Sequence, residues 1–237
     1  MKLAIIGNSH IAPLQMAWKD QLADRFPGVE ITFFGAVRST IMSLRIKEGR
    51  LASADNEVTE SLRTTSGGHA EIDPQLFDCI LVFGLCHNAV TVLGDMSGPY
   101  SEAVKTQTLV DFWRQTNSFR LLSKIRKLTD IPIYAGHDPL MSASAARPCG
   151  TFPYETFIAR SNTLAFADID VELMAQPVQT IVNGNATDAR LSRQALKLGV
   201  RGRAPDERHD EDEHHHMNEE FGRLWLARFL SETVDSV

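Results

Sequence analysis

The chain has 237 residues, 43% hydrophobic and 23% charged, with a formal net charge of -6. That length supports a single sizeable domain over 1–237, and the acidic balance argues against a general polyanion-binding surface, so nucleic acid is not an expected partner. Three cysteines without a CxxC pair suit a reducing compartment; with no apolar run of membrane-spanning length and a first run too short for a signal-peptide core, the expectation is a cytoplasmic protein.

Taken in order, Leu3-Ala4-Ile5-Ile6 reads as a strand buried on both faces. Gly7-Asn8 breaks it, and Ile11, Leu14, Gln15 and Trp18 resume at helical spacing. Ser9 sits in the turn between them, where a serine oxygen commonly caps a helix. Phe26-Pro27-Gly28 ends this unit, and Val29 to Phe34 predicts a second strand closed by Gly35. Residues 36–76 show only weak patterning around Ile41, Leu44 and Ile46, consistent with a hairpin or irregular insert, and Thr64 to His69 reads as loop. Phe77 to Phe83 predicts a third strand ending at Gly84, followed by Leu85-Cys86-His87-Asn88.

Residues 89–100 read as loop, and Ser101 to Leu128 as a long amphipathic helix with a break near Asn117. Ile131 to Gly136 predicts a fourth strand, left by His137-Asp138-Pro139. Residues 140–153 read as loop, Tyr154 to Ala167 as helix, and Asp170 to Met174 as a fifth strand. Asn183-Gly184-Asn185 reads as a turn, Thr187 to Leu198 as helix, residues 201–213 as a solvated charged segment, and Met217 to Leu230 as a final amphipathic helix. Strands alternating with helices argue for a parallel sheet covered on both sides, and a flavodoxin-like order 2-1-3-4-5 is the expected topology. In such a sheet the site lies outside the carboxyl ends of the strands.

Four features fall at those ends: Gly7-Asn8-Ser9-His10, Gly35, Gly84 to Asn88, and Asp212 to Asn218. Together they resemble the blocks of the SGNH (GDSL-type) hydrolases. GNSH is similar to the nucleophile block; Gly35 is similar to the second block, whose backbone N–H joins an oxyanion hole; FGLCHN occupies the place of the third; and DEHHHMNEEFG is similar to the last, an acid three residues before a histidine. The family's third block reads G-x-N-D, whereas Cys86 holds the third position here and Asn88 follows two residues later.

The resemblance implies a three-layer α/β/α SGNH fold with a five-stranded parallel sheet, and hydrolysis of a small-molecule acyl ester or acylated sugar without a cofactor. It implies Ser9 as nucleophile, His216 as base with Asp212 or Glu213 as its acid, and Gly35 and Asn88 as oxyanion donors. Asp212-x-x-His215 also satisfies the acid-to-histidine spacing, so His215 is an alternative base. The residue types suit the chemistry. A serine hydroxyl needs a base, histidine titrates near neutrality, and a carboxylate fixes the imidazole tautomer.

Three other readings compete. A non-catalytic SGNH-like domain binding an acylated sugar or a partner is one. A metal protein built on His209, Asp210, Asp212, His214, His215 and His216 is another, although consecutive histidines rarely converge on one ion. Phosphate binding at the first turn is the weakest, because GNSHIA has neither GxGxxG nor a P-loop lysine.

Overall fold

The computed structural model describes residues 1–86, 96–146, 153–200, 202, 207–210 and 212–234. In chain order the strands are β1 (Lys2–Gly7), β2 (Glu30–Gly35), a hairpin of β3 (Arg45–Lys47) and β4 (Arg50–Ala52), β5 (Cys79–Phe83), β6 (Ile133–Gly136), β7 (Glu172–Met174), and a second small hairpin, β8 (Ile181–Val182) with β9 (Ala186–Thr187). The five long-range partners form one parallel sheet in the order β2-β1-β5-β6-β7, which is the expected 2-1-3-4-5 once the hairpins are set aside.

Side chains alternate across a strand, so each face of the sheet builds its own core. Leu3, Ile5, Leu81 and Phe83 pack against α1 (Ala12–Ala17) and the last helix, α6 (Glu219–Thr233). Ala4, Ile6, Ile80 and Val82 face the other way. There they meet α2 (Asn56–Ser66), α3 (Glu102–Gln115), α4 (Asn117–Arg126) and α5 (Tyr154–Ser161). The result is three layers, α/β/α. On the first face the two helices come together closely, because a Cβ on Gly222 would lie 2.0 Å from the Pro13 carbonyl oxygen. Only glycine allows that approach, and it brings the helix after Ser9 against the helix after His216.

Several expectations change. The long helix over 101–128 is two helices joined at Thr116, whose ψ of 151° is extended. Its N–H donates to the Trp113 carbonyl (2.9 Å) and its hydroxyl accepts from Phe119 N–H (3.2 Å), so one residue closes α3 and opens α4. The insert over 36–76 contains the hairpin, but also α2, capped by Asp55 and ended by Gly67 at φ 75°. Thr64 to Ser66 are therefore the last turn of a helix, not loop. The helix expected over 187–198 is absent: beyond a short turn at Ala189–Leu191, Gln194 takes φ 55°, and Ala195 O and Lys197 N bond to His209 N and Glu207 O. A backbone committed to those partners cannot close helical bonds. The final helix starts two residues later than expected, at Glu219, with the Asn218 side chain accepting from Phe221 N–H.

Candidate active site

Strand β1 ends at Gly7, at the carboxyl edge of the sheet. The turn that follows is capped by Asn8, whose side-chain oxygen accepts His10 N–H at 3.2 Å. Because Asn8 does the capping, the Ser9 hydroxyl is left for another partner. Ser9 Oγ lies 2.8 Å from His216 Nε2, a contact between residues 207 apart in sequence.

His216 reaches this position from the irregular loop that enters α6. Asn218 anchors that loop: its N–H donates to Leu191 O (2.8 Å), and its side-chain amide donates to Arg190 O and Arg193 O (3.0 and 3.2 Å). Upstream, Ser142 N–H donates to His214 O (3.0 Å) and His209 N–H to Ala195 O (2.9 Å). The segment expected to be a helix is thus the bracket that holds His216.

The geometry separates the alternatives. Glu213 Oε1 stands 3.5 Å from His216 Nδ1 and accepts His215 N–H at 2.6 Å. Asp212 and His215 are both exposed, and His215 enters through its backbone. His214 turns to Ser144, with Nδ1 3.2 Å from its Oγ. At 3.5 Å the Glu213–His216 contact is an ion-pair distance, longer than a hydrogen bond, and Nδ1 makes no hydrogen bond among the described residues.

Gly35, expected to lend an N–H to an oxyanion, is corrected by the structure. Its N–H donates to Thr65 Oγ1 (2.9 Å) and is spent on α2. Asn88, the other expected donor, lies outside the described residues, as does His87.

Three residues that the sequence reading did not place in the site belong to it. His10, 4% exposed, stacks on His216 with ring centroids 4.7 Å apart. Its Nε2 is 3.5 Å from Asp138 Oδ2, and Asp138 Oδ1 accepts Cys86 N–H at 3.0 Å. Gly84, at φ 83°, makes room for this cluster, since a Cβ there would come within 2.5 Å of Asn8 Oδ1. His209 covers the opposite face of His216, centroids 3.8 Å apart and 14° from parallel. The one signal available for His10 was its adjacency to Ser9, and for Asp138 its place just past a strand end; His209 had none beyond membership of a histidine-rich run. His137, by contrast, is a satisfied core residue: its Nδ1 pairs with Asp138 O and its Nε2 with the Tyr154 hydroxyl, both at 2.5 Å.

Burial, and then the His10 and His209 imidazoles on either side, push the His216 pKa down to about 3, against the raising effect of Glu213. Burial raises the Glu213 carboxyl, but His215 N–H and the nearby imidazoles outweigh it, leaving the group below its usual value and ionised at neutral pH. The site therefore holds a hydroxyl, a neutral imidazole and a carboxylate in line. That arrangement can take a proton from Ser9. His209, Glu213 and His216 each offer a ligand atom within 4.8 Å of the other two, but the stacked His209 and His216 rings point their lone pairs along nearly parallel planes that do not meet at one ion.

Set against known proteins, the chain matches no family model and no curated protein. Among the described residues no helix is long and apolar enough to cross a membrane.

Proposed function

We propose that the chain is a serine hydrolase of the SGNH type that cleaves an acyl ester, with Ser9 as nucleophile, His216 as base and Glu213 as the acid behind it. The observation that carries the reading is the 2.8 Å contact between Ser9 Oγ and His216 Nε2 at the carboxyl edge of the sheet. In this reading Ser9 Oγ attacks the acyl carbon while its proton passes to His216 Nε2. His216 then gives that proton to the departing alcohol, leaving an acyl-Ser9 ester. Water, activated by the same imidazole, releases the acid and restores the hydroxyl. Glu213 closes on Nδ1–H as the imidazolium forms; apo catalytic contacts are often loose and tighten along the reaction. The Ser9 N–H is the remaining oxyanion donor of the first turn.

Turnover of p-nitrophenyl acetate by the wild type and by Ser9→Ala tests this. The expected outcome is a loss of about 1000-fold or more in kcat with the fold retained, as for other triads that lose their nucleophile. Equal rates in the two proteins would remove Ser9 from the chemistry.

A further inference from the structure

Glu213 and His216 share one irregular loop, so a carboxylate that travels with the ring does not by itself fix the ring against Ser9. His10, the residue after Ser9, supplies that tie. Its imidazole lies against the His216 ring, centroids 4.7 Å apart and 19° from parallel, while His209 covers the other face. A ring held between two near-parallel planes keeps its own plane, and of the two covers only His10 stands on the turn after β1. His10 is held in its turn. Its Nε2 faces the Asp138 carboxylate at 3.5 Å, and Asp138 is fixed at Oδ1 by Cys86 N–H (3.0 Å) and at its carbonyl by His137 Nδ1. A carbonyl only accepts, so His137 carries its proton on Nδ1; its Nε2 accepts from the Tyr154 hydroxyl, which accepts Gln176 N–H at 2.7 Å. The support runs from the ends of β6 and β7 through Asp138 and His10 to the His216 ring. A separate observation concerns His10 Nδ1, which is buried and makes no hydrogen bond among the described residues, although a buried ring nitrogen normally has a partner. A phenyl ring would fill the same space without that cost, so volume alone does not account for an imidazole here.

We propose that Asp138 and His10 form a positioning pair for His216: Asp138 orients His10, and His10 sets the plane of the His216 ring and keeps its Nε2 lone pair open to the Ser9 hydroxyl. The effect on turnover rests on the hydrolase reading; the placement of the rings does not. A carboxylate accepts and does not donate, so His10 carries its proton on Nε2, toward Asp138. The groups that face His216 are Ser9 at Nε2, Glu213 at Nδ1, and His10 and His209 over its two faces. An imidazole that can itself take a charge opposes a second charge on the ring it stacks against. After burial, His10 is the largest influence holding the His216 pKa down, so His216 stays neutral and able to accept a proton in weakly acidic solution.

The experiment compares the full wild-type chain with His10→Phe, Asp138→Asn and the double variant. Phenylalanine keeps a flat ring against His216 and removes the titratable nitrogens; asparagine keeps an oxygen for Cys86 N–H and removes the charge. In His10→Phe, kcat on p-nitrophenyl acetate should fall by about tenfold or more with KM little changed, and the acid limb of kcat/KM should move up by about one pH unit or more. Histidine ¹⁵N spectra, with His216 assigned by comparison with His216→Ala, should show the same upward move of the His216 titration with no ester present. In Asp138→Asn the amide turns a donor toward Nε2, so His10 should pass from the Nε2–H to the Nδ1–H tautomer, and kcat should fall. Because the two residues act in series, the double variant should lose no more than the worse single one. A His10→Phe chain with wild-type kcat, or with a lower kcat but an unmoved acid limb and an unmoved His216 titration, reduces His10 to packing and overturns the proposal. Losses that multiply in the double variant, or an unchanged His10 tautomer in Asp138→Asn, overturn the link through Asp138. Should His10→Phe not fold, Asp138→Asn carries the test through tautomer and kcat. A set of chains whose spectra behave as described while the wild type hydrolyses no ester keeps the ring support and defeats the hydrolase reading instead.

Discussion

The two halves of the Ser9–His216 pair are held in different ways. Ser9 follows a strand buried on both faces, in a turn whose cap, Asn8, is itself buried. Its position is set by the end of β1 and by the buried Asn8 cap. His216 sits in an irregular loop held by a handful of backbone bonds and by the Asn218 side chain. Ser9 is placed by topology and His216 by anchors. Disturbing the anchors should therefore cost activity first and stability second, and disturbing the sheet side should cost both.

The largest expected effect comes from removing the His216 imidazole. His216→Ala should lower kcat by at least about 1000-fold while the thermal midpoint stays close to wild type, measured by ester turnover and by calorimetric melting. Next is the helix crossing that brings the two regions together. Gly222→Ala puts a methyl against the Pro13 carbonyl and should destabilise the chain by about 1–3 kcal/mol in urea titration, lowering turnover as well because α6 is displaced from α1. A smaller effect is expected from Asn218→Ala. Loss of the cap should cost about 1 kcal/mol, and the freed loop should lower kcat more than that stability change implies; an unchanged kcat would show that the loop needs no anchor.

Acidity sharpens the comparison further. His216 in the folded chain titrates at about 3, below its ordinary 6.5, so the unfolded chain takes up a proton first as pH falls. His137 is shifted the same way by burial. Stability contributed by keeping these rings neutral is complete above pH 6.5 and declines as pH drops from there toward the folded values. Melting curves against pH should show that decline, and His216→Ala should flatten part of it. Because the His216 imidazole is neutral in the free chain over the same range, the proposed hydrolase should show an acid limb of kcat/KM well below 6.5.

These regions also differ in how far they could be read from sequence. The sheet was legible because buried parallel strands are continuous apolar runs, and β1, β5 and β6 each show one. Helix α2 was not, since half of the residues it buries are polar: Ser61 and Thr65 beside Val58 and Leu62. The opposite error fell on 187–198. Leu191, Ala195 and Leu198 are all buried and happen to repeat at helical intervals, but the chain buries them by wrapping around the loop that carries His216. In the site, the contact between Ser9 and His216 was readable from motif order. Glu213 against Asp212 was not, because a one-residue register in an irregular loop leaves no periodic trace. Gly35 was misread because nothing in its own segment announces that Thr65, 30 residues on, will claim its N–H.

The 207-residue span between serine and imidazole has a consequence for biosynthesis. A ribosome makes the hydroxyl 207 residues before the ring, and α6 docks on α1 only after both have emerged. Every nascent chain that stops short of residue 216 lacks the imidazole, so the Ser9–His216 contact forms in a single late step, together with the helix that seals one face of the sheet.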